Sequence, residues 1–156
     1  MVGGDELRSV MRLIPAPVAV VTVDLEGERL GLTVASLVSL SLEPPLVGVA
    51  IRRTAALHEL LRRAGEFGIS VLGAGQAHLA QHFARGVPPI ALWQRVPLRE
   101  GDGPPLLEGA LAWLRCEVRA EHETGDHTLF VGQVIAAEGG TADRALVYLD
   151  RRYVSA

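Results

Sequence analysis

Between Gly31 and Pro45 the chain reads GLTVASLVSLSLEPP, a run rich in small and hydroxyl residues: Thr33, Ala35, Ser36, Ser39 and Ser41. Side chains this small leave backbone N–H and C=O groups within reach of a partner. A flat heteroaromatic ligand with polar edges suits such a surface. The same residues also suit a strand and bend packed inside an all-β domain, with each hydroxyl satisfied locally. His127 is the most pointed single residue. It follows Gly125-Asp126, a turn that opens a strand, so its ring projects from a strand end. The plainer reading of it is a turn histidine bonded to backbone.

Other chemistries find less support. His78 and His82 are four apart on an expected helix and share a face. No acidic partner of the HExxH kind stands near them, so they read as solvent-facing helix residues rather than metal ligands. Cys116 falls on the apolar side of an alternating strand, where packing is its expected role. No G-x-S-x-G nucleophile elbow occurs, and no G-x-G-x-x-G follows a strand as a Rossmann fold would require.

The chain has 156 residues, which suits one domain over 1–156. It is 49% hydrophobic and 21% charged, enough apolar material for a packed core. Its formal charge of −3 offers no field for nucleic acid, and 4% aromatics leave little for base stacking. No run approaches a membrane span, and Met1 to Glu6 lack the features of a signal peptide. With a single cysteine, a cytoplasmic location is the expectation.

The elements that must position these residues follow from pattern. Asp5 to Leu13 has Leu7, Val10, Met11 and Ile14 at helical spacing and is stopped by Pro15 and Pro17. Val18 to Val23 is a β-branched run and an expected buried strand. Asp24 to Glu28 is a hairpin turn into a second strand, Leu30 to Ser36. Leu46 to Ile51 is a strand, and Ala55 to Ala64 a helix with Thr54 as N-cap and Gly65 as C-terminal cap. Phe67 to Leu72 is a strand, and Ala77 to Ala84 a helix with Leu79, Ala80 and Phe83 inward. Gly86 to Pro105, rich in Pro and Gly, is expected to cover a site or a dimer seam. Leu111 to His122 alternates as a strand with one wet face, and Thr128 to Ala137 is its partner. Ala145 to Tyr153 is expected as one closing strand. Many short strands with a few helices imply a mainly β fold, a closed barrel with short helices at its rim.

The run Gly31 to Pro45 also resembles the signature of the flavin reductase family, roughly G-x-T-x-(S/A)-S-x-x-S-(V/L)-S-x-(D/E)-P-P. Further matches follow in order: Gly65-Glu66-Phe67, Val71-Leu72, Gln76, Phe83, Pro105 with Leu107 and Gly109 to Ala112, Gly125-Asp126-His127, and Leu149 to Tyr153. That family comprises the small reductase components of two-component monooxygenases. The resemblance implies a single FMN-binding split β-barrel of Greek-key type. It implies an NAD(P)H:flavin oxidoreductase that passes hydride from a nicotinamide to flavin N5 and supplies reduced flavin to a partner such as a monooxygenase. A flavin performs that chemistry while the protein positions it, so no acid–base pair is needed.

FMN is the flavin expected, since nothing in the sequence marks an adenine pocket; FAD is the alternative, and NADH or NADPH the co-substrate. By the resemblance, Thr33, Val34, Ala35, Ser36, Leu37, Ser39 and Leu40 line the ring and ribityl chain. The Thr33 and Ser36 hydroxyls are candidates for contacts to ring oxygens or phosphate. Where the family has S-x-(R/K)-(S/T), this chain has Arg53, Thr54, Ala55 and Ala56, so the phosphate is left to a helix N-terminus with charge from Arg52, Arg53 or Arg85. The usual Asn before Val-Leu is Ser70. His127 is expected to orient the nicotinamide, and Tyr153 to lie near the same face. A homodimer is implied both by the relatives and by a mean hydropathy of +0.26. Two other readings stay open: an FMN-binding electron-transfer protein without nicotinamide activity, and a barrel that has lost its flavin.

Overall fold

The computed structural model describes residues 1–156. In chain order the elements are α1 (Gly4–Met11), β1 (Ala16–Pro17), β2 (Ala19–Leu25), β3 (Glu28–Val34), β4 (Val38–Leu42), β5 (Pro45–Arg52), α2 (Ala56–Ala64) and β6 (Glu66–Val71). They continue with α3 (Ala77–Ala84), α4 (Pro89–Leu92), β7 (Ala112–Thr124), β8 (His127–Gly139), β9 (Leu146–Leu149) and β10 (Arg152–Ser155). Strands dominate. Seven form one antiparallel sheet in the order β3-β2-β6-β7-β8-β5-β4, and β1, β9 and β10 form a second, smaller one.

The β-branched run in β2 is continuous because both faces of the strand are buried. Ala19, Val21 and Val23 face one apolar cluster, with Ile51, Phe67, Ile69, Cys116, Phe130 and the α2 stripe Leu57, Leu60 and Leu61. Val18, just before the strand, and Val20 face the other, with Leu72, Leu79, Phe83, Leu92, Leu107 and Leu146. Period-two alternation therefore divides one strand between two cores. The Glu26-Gly27 hairpin turn has both residues at positive φ, 53° and 90°, and the Asp24 carboxylate accepts the Gly27 N–H at 3.0 Å.

Two close approaches fix neighbouring elements. A Cβ on Gly31 would lie 2.8 Å from the Phe83 ring and 3.3 Å from Trp93, so α3 and the segment after it settle on bare β3 backbone. A Cβ on Gly132 would lie 2.6 Å from Phe67, which explains a glycine inside β8. Ser70, standing where the family has Asn, is buried and accepts the Leu107 N–H at 2.9 Å, tying the 98–107 segment to the sheet.

Several boundaries differ from the sequence reading. The cap of α2 is Ala55, with no side-chain hydrogen bond, so Thr54 is not the N-cap. Gly65 does close that helix, at φ 70°. The stretch 145–153 is not one strand. It bends at Asp150 and Arg151, both at positive φ, into the β9–β10 hairpin of the small sheet. A two-residue turn overrides a continuous apolar reading there, because alternating residues in both arms pair with each other. The Pro-rich stretch after Gly86 holds the short helix α4, whose Leu92 is buried. His82 is not a free surface residue: its Nε2 meets the Leu92 carbonyl at 2.6 Å and its ring is half-buried.

Candidate functional site

The strand β3 pairs only with β2, so one row of its backbone N–H and C=O groups has no strand partner. Just beyond its end the chain turns toward β5. There the Ser36 hydroxyl donates to the Ala50 carbonyl at 3.0 Å and accepts the Ala50 N–H at 2.9 Å. One hydroxyl thus clasps two segments that are far apart in the strand order. Between them opens a cleft of about 460 Å³. Its walls are Leu32 to Ser36 on one side and Ala50, Arg52 and Ala55 on the other, with His127 closing one end.

His127 reaches this cleft because the register pairs it with Arg52, the last residue of β5. Its Nδ1 lies 2.6 Å from a carboxylate oxygen of Asp126, and its side chain is 34% exposed. The hydrogen bond and charge of His127 hold the Asp126 carboxyl below its usual range, with Arg52 adding to the effect. Arg52 itself makes no ion pair within the chain, whereas Arg53 is engaged by Glu123 at 2.6 Å and by the Gly125 carbonyl at 3.4 Å.

Three further clefts meet this one. One of about 400 Å³ shares Leu32 and Ala55 and runs past the start of α2 to Phe83 and the segment 86–92. One of about 180 Å³ shares Thr33 to Ala35 and is closed by Tyr148 and Tyr153, whose rings pack at 5.4 Å. Burial, with Tyr148 alongside, raises the pKa of the Tyr153 phenol. The last, about 470 Å³, lies against α1 and the β9–β10 turn and shares Ala35.

The structure thus brings together Thr33, Val34, Ala35, Ser36, Ala55 and His127, with Ala56 and Tyr153 in the adjoining clefts. Leu37, Ser39, Leu40, Arg53, Thr54 and Arg85 line none of these clefts. Both expected hydroxyl contacts are already engaged internally: the Thr33 hydroxyl donates to the Ala80 carbonyl at 2.7 Å, and Ser36 forms the clasp. What this wall presents to a ligand is mainly backbone. Of the three arginines named as sources of charge, Arg52 is the one in the cleft. Leu32 and Ala50 also line it. Alternation along β5 and its pairing with β8 is the only sequence signal for Ala50, and that pairing is not readable locally. Cys116 is fully buried, and burial pushes its thiol up to about 12, so it is no nucleophile.

The cleft fits a flat polar-edged ring: small side chains, an open strand edge, a cation and an oriented imidazole. Comparison with known proteins points the same way. A family model described as a flavin reductase like domain matches residues 11–156. The chain is 39% identical over 152 residues to an NADH-dependent FAD reductase of Streptomyces globisporus, covering 95% of this chain and 83% of that protein. It is 41% identical over 136 residues to the reductase component of 4-hydroxyphenylacetate 3-monooxygenase of Thermus thermophilus, covering 87% and 85%. The solved flavin reductase component of a bacterial two-component tryptophan halogenase superposes with a TM-score of 0.91 at 36% identity, covering 98% of both chains. An NADH:FAD oxidoreductase of Streptomyces globisporus, solved with NAD and FAD fragments, gives 0.90 at 37% identity, covering 96% and 90%.

Proposed function

The chain belongs to the flavin reductase-like family, and on that premise we propose that it oxidises NADH or NADPH and passes the hydride to FMN or FAD. The observation that carries this is the cleft that unites the Thr33–Ser36 wall with Arg52 and His127. When bound there, a flavin supplies the hydride acceptor at its N5. The open edge of β3 holds the ring's polar rim through backbone groups, and Arg52 offers positive charge beside it. His127, held at Nδ1 by Asp126, orients the nicotinamide over the ring. Hydride moves from the nicotinamide as a pair of electrons with one proton, leaving NAD(P)⁺, and no side chain need donate a proton in that step. The reduced flavin then serves a partner oxygenase, in keeping with relatives named as components of such systems.

An anaerobic titration of the protein with NADH and NADPH, in the presence of FMN or FAD, tests this. Bleaching of the flavin is expected. If only dithionite bleaches a bound flavin, the protein is an electron carrier instead.

The clasp at Ser36 supports reading the large sheet as a split barrel, and we take the chain as one domain over 1–156 working in the cytoplasm. Exposed apolar residues on α1 (Leu7, Val10, Met11) and β4 (Val38, Leu40, Leu42) support a two-fold homodimer. A dimer mass in sedimentation velocity and one cooperative urea transition are expected. A monomer at micromolar concentration, or two separate transitions, would count against this arrangement.

A further inference from the structure

We propose that His58 is a positioning residue for hydride transfer: from α2 it holds the start of β8, and so sets where His127 stands against the cleft. The inference rests on the reductase reading and on the role given there to His127. His58 lies in the first turn of α2, and its main-chain N–H donates to the Ala55 carbonyl at 3.0 Å. Ala55 walls the ring cleft, so the imidazole is tied at its root to one side of the site. Its Nε2 lies 2.7 Å from the Thr128 hydroxyl, and its ring meets Phe130 edge-on at 5.3 Å. Both partners belong to β8, and both are buried. Contacts to alternate residues of one strand fix the ring on that strand's inner face.

Thr128 follows His127 directly. Alternation turns its hydroxyl toward α2 while His127 faces the cleft. The sheet holds this point least firmly. His127 is the first residue of β8 and pairs with Arg52, the last of β5, so the ladder between those strands ends there. Strand ends are where such pairing opens most readily. Beyond it the Arg53 N–H donates to the Asp126 carbonyl at 3.0 Å, continuing the same strand-to-strand link. The His58 bond comes instead from a helix outside the sheet. The other side-chain bond from α2 to the β7–β8 hairpin, Arg62 to Glu121 at 2.9 Å, is solvent-exposed and holds little. A displacement of about 1 Å in a group that orients a reactant can cost about a hundred-fold in rate, so a buried tether at this point bears on the chemistry. His58 itself lines none of the clefts, and it acts through His127 rather than on the reactants.

Stopped-flow reduction of bound FMN by saturating NADH or NADPH, without oxygen, tests this. His58→Ala is expected to slow reduction about three-fold or more, with FMN affinity within about two-fold of the parent protein. His58→Gln, whose amide can donate or accept at the same reach, is expected to restore the rate to within about two-fold. Added to His127→Ala, the His58→Ala change should cost less than about two-fold more, because the group it positions is gone. If His58→Ala folds poorly, Thr128→Val removes the same bond at nearly unchanged shape and makes the same test. An equal loss from His58→Ala with and without His127 would overturn the proposal, as would a parent-like rate in that variant or a glutamine that fails to rescue. A parent-like rate in His127→Ala would remove the role of His127 and this proposal with it. A parent protein whose flavin neither nicotinamide reduces would instead remove the reductase reading itself.

Discussion

Replacing His127 with alanine is expected to slow anaerobic flavin reduction by NAD(P)H about ten-fold or more, while flavin affinity changes little. Hydride transfer needs donor carbon and N5 at about 3–3.5 Å with aligned orbitals, so a group that fixes the nicotinamide acts on the rate. His127 stands at the end of the ring cleft, opposite Arg52 in the β5–β8 register, with Nδ1 fixed by Asp126. A ten-fold loss is about 1.4 kcal/mol in the barrier. Dithionite, which needs no nicotinamide, should reduce the variant normally. Equal loss of flavin binding would recast His127 as a flavin ligand, and no effect would remove it from the site. The tether should persist across neutral pH. The Asp126 carboxyl is held below its ordinary value, so its pairing with His127 is present above the usual carboxylate range and is lost only as pH falls through the lowered value.

Ala35→Trp should have the largest effect on binding, at least about a hundred-fold weaker for FMN, FAD and riboflavin alike, or about 2.7 kcal/mol. Ala35 is exposed and lies where three clefts meet, so an indole there fills the space a ring would take. The side chain contributes nothing to either apolar cluster, and the urea midpoint should stay near that of the parent protein. Ser36 would be the worse choice for this test, because its clasp to Ala50 is structural and its loss would confuse stability with binding. Unchanged affinity in the Ala35 variant would place the flavin elsewhere.

Local pattern carried much of the fold. The α2 and α3 stripes, the Gly65 cap and the β2–β3 and β7–β8 hairpins are set by near neighbours in sequence, where periodicity and turn chemistry operate. The bend at Asp150-Arg151 was hidden because the turn holds no glycine: Asp150 tolerates positive φ, but an arginine seldom adopts it. The cap of α2 slipped by one residue for a related reason: Thr54 looks like a cap, yet the helix starts after Ala55. In the candidate cleft, the Thr33–Ser36 wall and His127 were singled out through motif. The use of their hydroxyls was not, because Ala80 and Ala50 arrive as partners only through tertiary packing. The diversion of Arg53 is equally non-local, since Glu123 lies 70 residues away.

The place of β8 between β7 and β5 in the strand order governs when the cleft can exist at all. Both walls lie before residue 56, yet β5 has only β4 beside it until β8 is present, and His127 arrives with β8. Such long-range pairing must close a large loop before any contact repays the entropy, which slows assembly. A nascent chain that has reached only β6 therefore displays β5 without its β8 neighbour and has a pocket with no His127 at its end. Cofactor can pull on the finished protein by mass action, but it has nothing complete to hold during synthesis, so saturation with flavin follows folding rather than guiding it.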